Sequence, residues 1–85
     1  MKITFYFAPG CWVCAAVEET LNGLKDRYGL DIIRIDITES EETYELYRFD
    51  VPVIEFEDGS TLYQRIRRKD LLEKLDALSR SPSSI

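Results

Sequence analysis

Apolar and polar positions along the chain of 85 residues sort into seven blocks. The first, Lys2 to Phe7, is β-branched and aromatic (Ile3, Thr4, Phe5, Tyr6, Phe7). Apolar side chains on both faces predict a strand in the middle of a sheet. Pro9-Gly10 then turns the chain. From Trp12 to Tyr28 the apolar positions are Cys14, Val17, Leu21, Leu24 and Tyr28, stepping by three and four residues, which is one stripe of a helix. Gly29 suits the left-handed position just past its end. Leu30 to Ile37 predicts a second strand. A strand, a helix-length crossover and another strand imply parallel pairing with a right-handed connection.

The second half is less periodic. Thr38 followed by Glu41 reads as a capping box opening a short helix to about Tyr47, with Tyr44 and Tyr47 or Leu46 turned inward. Val51 to Phe56 predicts a third strand, with Pro52 at its start, where a missing N–H is tolerated. Glu57-Asp58-Gly59-Ser60 is a turn, and Thr61 to Gln64 its antiparallel partner strand. Lys69 to Leu78, carrying Leu71, Leu72, Leu75 and Leu78, closes the chain as a helix. The order is β-α-β-α-β-β-α, an α/β arrangement. Residues 1–78 are expected to form one domain and the serine-rich 79–85 a flexible tail.

Composition narrows the function classes. Hydrophobic residues make up 45% of the chain, enough for a core. The net charge of -5 repels phosphate backbones, so nucleic acid is not an expected partner. No apolar run reaches the ~18 residues of a membrane span. The apolar run Ile3 to Phe7 is too brief for a signal peptide and Pro9-Gly10 breaks it, so a cytoplasmic location is expected. The chain contains no histidine, which removes Ser-His-Asp triads, Cys-His pairs and histidine-ligated metals together.

Both cysteines lie in Cys11-Trp12-Val13-Cys14, between the first strand and the first helix. The unpaired N–H groups and dipole of a helix N-terminus favour negative charge, and the thiolate is the nucleophilic form of cysteine. Cys11 falls at that position and is expected to be the exposed, attacking sulfur. Cys14 lies one turn inside, on the buried stripe. Helical spacing brings the two near enough to close a disulfide without unwinding the helix, so the pair suits dithiol exchange. Three other readings stay open. A structural disulfide over so short a loop would constrain the unfolded chain little. A metal half-site would need a second chain, since two thiolates do not complete a zinc or iron–sulfur site. The third is a pair of inert packing cysteines. No resident metal is expected.

The order of elements, the helix-opening Cys-x-x-Cys and Val51-Pro52 at the third strand resemble the glutaredoxin branch of the thioredoxin superfamily. Tyr6, five residues before Cys11, and the Asp-Gly turn before the fourth strand match as well. The likeness runs from about Lys2 to Leu78. It implies a thioredoxin-like (glutaredoxin) fold with a four-stranded mixed sheet flanked by helices. It also implies a cis Val51–Pro52 bond and thiol–disulfide exchange, with Cys11 as nucleophile and Cys14 as resolving thiol. That bond would hold Val51's backbone groups exposed beside Cys11, able to pair with an extended substrate.

The chain departs from the family pattern in several places. Cys-Trp-Val-Cys stands where Cys-Pro-Tyr-Cys is usual, and Ala8 where the family has a lysine. Asp50-Val51-Pro52 replaces Thr-Val-Pro. Ile66-Arg67-Arg68-Lys69-Asp70-Leu71 replaces a glycine-containing glutathione-binding stretch, and Phe5 occupies the position of the buried acid of thioredoxins. In these departures the sequence resembles the small, divergent glutaredoxin-like proteins of bacteria and archaea.

Trp12 is expected to face solvent beside the reactive sulfur and, with Val51 and Pro52, to meet substrate, the alternative being a ring folded onto the nearby loop. Arg65, Arg67, Arg68 and Lys69 form a basic run; Arg67, Arg68 and Lys69 are the candidate carboxylate-binding residues, the alternative being a solvated face. The expected activity is reduction of protein or small-molecule disulfides by a monomer without a bound cofactor. An external thiol reductant, glutathione or a reductase, restores the dithiol. The alternatives are a metal or iron–sulfur carrier using Cys11 from two chains, and a redox-silent binding module of the same fold.

Overall fold

In the computed structural model, which describes residues 1–80, the first apolar block forms strand β1 (Lys2–Phe7). Ile3 and Phe5 are fully buried on one face, while Thr4 and Tyr6 point to the other. Helix α1 (Trp12–Tyr28) crosses over, and strand β2 (Asp31–Asp36) returns parallel to β1, with Lys2 opposite Asp31 and Phe7 opposite Asp36. After helix α2 (Glu41–Tyr47) come two short strands, β3 (Val53–Glu55) and β4 (Thr61–Tyr63). β3 runs antiparallel to β1, and β4 antiparallel to β3. The sheet order β2-β1-β3-β4 puts β1 inside, as its two apolar faces require. Helix α3 (Arg68–Arg80) completes the mixed-sheet α/β fold expected from the sequence.

Cys14, Val17, Leu21 and Leu24 from α1 pack with Leu71 and Leu75 from α3 against Ile3, Phe5, Ile54 and Phe56 in one cluster. At about 2 kcal/mol for each buried leucine, this packing fixes α1 against the sheet and so fixes where its N-terminus lies. At the far end Gly29, at φ 63°, takes the left-handed position that ends the helix. The opposite face of the sheet carries less. Tyr6 stacks there on Tyr47 of α2, ring centroids 4.3 Å apart.

Several boundaries differ from the sequence reading. Thr38 does not cap α2. Asp36 takes both its amide (2.9 Å) and its hydroxyl (2.7 Å), making a 3-10 turn over Ile37–Glu39. Ser40 is the cap instead, its hydroxyl accepting from the Thr43 amide. A helix of seven residues makes under two turns, and none of its side chains is buried. Tyr44 and Leu46, expected to turn inward, are 40% and 61% exposed, and Tyr47 stacks on the sheet.

β3 begins at Val53 rather than Val51, because Pro52 cannot donate to a ladder. β4 ends at Tyr63 rather than Gln64, whose φ of 65° turns the chain out of the sheet. The last helix starts one residue earlier than expected and runs past Leu78 to Arg80, so Ser79 and Arg80 are helical. The remainder of the expected tail, 81–85, lies outside the described residues.

The hairpin turn is tied to α3 by one carboxylate. Asp58 accepts from the Ser60 hydroxyl (2.6 Å) and amide (3.0 Å), while Lys74 donates to its other oxygen at 3.0 Å. These donors hold the Asp58 carboxyl well below the usual carboxylate range.

Candidate active site

The parallel pairing of β1 and β2 brings both strand ends to the edge of the sheet where α1 starts. Gly10, at φ 80°, makes the reversal between β1 and α1, a backbone position that disfavours any residue with a Cβ. Cys11 follows as the N-cap, with extended backbone (φ -87°, ψ 102°). Its Sγ accepts the Cys14 amide at 3.1 Å, and its carbonyl accepts the Ala15 amide at 3.1 Å, the first bond of the helix. The cysteine therefore fills the role that serine or aspartate usually fills, and one orphan amide of the helix end points at sulfur.

Cys14 is one turn deeper, 3% exposed, and part of the main core. Both cysteines are free thiols. Burial pushes the Cys14 thiol up to about 12, assisted by the hydrogen bond between the two side chains. The sequence-predicted pair is therefore joined in one hydrogen-bonded unit, with Cys11 half-buried and Cys14 buried.

Two grooves meet at Cys11. The larger, about 450 Å³, is lined by Cys11, Trp12, Val13, Val51, Gln64 and Arg65. Trp12 is 79% exposed at its rim. The smaller, about 200 Å³, lies on the other side and reaches both cysteines, with Phe7, Ala8, Glu18 and Arg34 among its walls. There Arg34 pairs with Glu18 through Nε and Nη2 and lies over the Phe7 ring, 4.5 Å from its centroid.

The Val51–Pro52 peptide bond is cis, with Pro52 buried and Val51 half-buried at the groove. Val51's amide is not exposed for a substrate, as the sequence reading had it. It donates to the Tyr47 carbonyl at 3.1 Å. The loop is held from below by Gln64, whose amide reaches the carbonyls of Asp50 (3.0 Å) and Pro52 (2.9 Å). The Gln64 side chain adds contacts to the Phe49 carbonyl and the Asp50 carboxylate, both at 3.4 Å.

The basic run divides. Arg67 is clamped by Asp70, with Nε to Oδ2 at 3.1 Å and Nη2 to Oδ1 at 3.2 Å, a pairing that lowers the Asp70 carboxyl. Arg68 and Lys69 open α3, and neither lines the groove at Cys11; Arg65 does. The sequence reading placed Arg65 in the basic run without setting it apart, and it missed Gln64, Val13, Glu18 and Arg34. Arg34 was findable: parallel pairing of β2 with β1 sets the end of β2 beside the cysteine loop. Gln64 was not, since its left-handed backbone carries no local signature. Among the described residues no group of three potential metal ligands comes together, and no helix is long and apolar enough to cross a membrane.

A family model described as a glutaredoxin-like domain (DUF836) matches residues 2–76. Among solved structures, the structural-genomics target XcR50 from X. campestris is similar with a TM-score of 0.75 and 25% identity, over 88% of this chain and 96% of its own. Thioredoxin 1 from Thermosipho africanus gives 0.69 and 21%, over 94% of this chain and 92% of its own. Thioredoxin O2 from Arabidopsis thaliana, in its oxidized state, gives 0.73 and 18%, over 91% and 73%. At these identities the two thioredoxins establish the shared fold.

Proposed function

Because the chain belongs to the glutaredoxin-like domain family, we propose that it is a thiol–disulfide oxidoreductase acting through Cys11 and Cys14. Family and fold support a redox-type function. The observation that carries the finer reading is the division of labour between the sulfurs: Cys11 caps α1 at the meeting of two grooves, and Cys14 is buried one turn behind it.

In this reading the Cys11 thiolate attacks one sulfur of a substrate disulfide. A Cys11–substrate disulfide forms, and the first substrate thiolate leaves with the electron pair of the broken S–S bond. Cys14 then attacks Cys11, its proton passing to solvent. The Cys11–Cys14 disulfide forms and the second thiolate departs. Two electrons have moved from protein to substrate, and an external thiol reductant returns them. Trp12 and Val51 would meet the substrate, with Pro52 fixing Val51 in the wall of the groove that Cys11 shares. Ala8 stands where the glutaredoxins that the sequence resembles carry a lysine, so glutathione is expected to be a slow reductant. Action as a cytoplasmic monomer belongs to the same proposal.

The test uses two variants and mass spectrometry. Cys14→Ser protein mixed with a disulfide should accumulate a stable adduct on Cys11, and Cys11→Ser should accumulate none on Cys14. The reverse pattern would exchange the roles. Absence of any adduct in both, with wild-type protein leaving the disulfide intact, would defeat the proposal.

A further inference from the structure

We propose that Arg65 is a specificity-determining residue that selects disulfides carrying a carboxylate near the reacting sulfur; this rests on the thiol–disulfide reading above. The two grooves flanking Cys11 each contain one arginine, and the arginines differ in one respect. Arg34, in the smaller groove, has its charge matched by Glu18 through two of its nitrogens. Arg65, in the larger groove, has no carboxylate within ion-pair distance among the described residues. Arg67, two residues on, is matched by Asp70. Arg65 is thus the unmatched cation on the wall of a space that opens directly onto the attacking sulfur.

The rest of that wall is mostly apolar: Trp12, Val13 and Val51. The acid nearest along the loop, Asp50, does not line the groove, and its Oδ1 accepts from the Gln64 side chain at 3.4 Å. A guanidinium beside an apolar wall is a receptor for a planar carboxylate, which it can take in a bidentate pair. The overall charge of -5 repels acidic molecules, and a local cation offsets that repulsion at this groove. The substrate class is a disulfide whose thiol carries a carboxylate a few bonds from sulfur, such as an acidic residue or chain terminus next to a cystine.

Two readouts separate this inference from the functional reading. The first needs no disulfide reduction. Cys11 is alkylated with anionic iodoacetate and with neutral iodoacetamide, and the rate ratio is compared between wild type and variants. Arg65→Gln should lower the iodoacetate-to-iodoacetamide ratio by about three- to tenfold at low salt, the effect fading as salt screens it. Lys25→Gln, which removes the same unit of charge at the far end of α1, should leave the ratio unchanged. Arg34→Gln should lower it less than Arg65→Gln.

The second readout is single-turnover oxidation of the reduced protein by dithiodiglycolate, which is dianionic, against bis(2-hydroxyethyl) disulfide, which is neutral. The dianion's advantage should shrink in Arg65→Gln while the rate with the neutral disulfide holds. An unchanged alkylation ratio in Arg65→Gln, or an equal drop in Lys25→Gln, overturns the assignment of Arg65. An Arg65-dependent ratio in a protein that oxidises with neither disulfide would keep the anion site and overturn the oxidoreductase reading.

Discussion

Cys11 and Cys14 are three residues apart on one helix and live in different solvents. Cys11 faces two grooves and takes an amide hydrogen bond on its sulfur. Cys14 is packed among Phe5, Val17 and Leu21 in the core, and its thiol is pushed up to about 12. One helical turn accounts for the difference. A three-residue step carries the second sulfur a turn further along α1 and onto the stripe whose next members are Val17 and Leu21. The burial that shields Cys14 leaves it hydrogen-bonded to Cys11. Burial in this pair is assigned by position rather than by residue type.

The largest expected effect breaks that comparison by unfolding. In the native protein at pH 8, iodoacetamide should label Cys11 and spare Cys14. Labelling of Cys14 should be on the order of a thousandfold slower than in the denatured chain, the ratio of its thiolate fractions at a value of about 12 and at the ordinary 9.0. Peptide mass mapping with and without denaturant measures both rates. Comparable labelling of the two cysteines in the folded protein would remove the distinction.

A smaller effect concerns stability against pH. Above about pH 9 the unfolded chain loses the Cys14 proton while the folded chain keeps it, so the folded state binds more protons and stability falls as pH rises. The contribution is fully present below pH 9 and is lost progressively toward about pH 12, with a slope of at most about 1.4 kcal/mol per pH unit. Tyr6, also raised to about 12 chiefly by burial, adds to the decline only above its ordinary value of 10.0. Urea titrations of wild type and Cys14→Ala between pH 9 and pH 10 isolate the cysteine. The variant should show the shallower decline, and parallel declines would mean that Cys14 titrates as an ordinary thiol in the fold.

The smallest effect sharpens the comparison from the other side. Gly10 sets where α1 begins, and so sets Cys11 as the cap rather than as a residue within the first turn. A Cβ at Gly10 would meet no atom within 4 Å, so the cost of Gly10→Ala lies in the backbone angle alone. That cost is about 1 kcal/mol in chemical denaturation. A neutral result would mean that the turn relaxes without strain, in which case Cys11 alkylation should shift instead.

Much of this was legible before any coordinates. The stripe Cys14, Val17, Leu21 and Leu24 is a local periodicity, and it was enough to state which sulfur is buried. The crossover rule supplied the parallel pairing of β1 and β2. Helix α2 was read less well, because the stack that seats it on the sheet, Tyr47 on Tyr6, comes from a strand some forty residues earlier rather than from its own pattern. The clamp of Arg67 by Asp70 is an i, i+3 pair and was open to inference. The exclusion of Arg67, Arg68 and Lys69 from the groove depends on the path from β4 into α3.

Local pattern is enough to set where the sulfurs sit on a helix and that the helix follows a central strand, since both are written in patterns of three to seven neighbouring residues. Only the tertiary structure decided what surrounds Cys11. The groove gathers Trp12 and Val13 from α1, Val51 from the proline loop, and Gln64 and Arg65 from beyond β4. Its charge depends on which arginine found a carboxylate. Such pairings are settled by distance in space, after the chain has closed, and residues far apart along the sequence carry no mark of whom they will face.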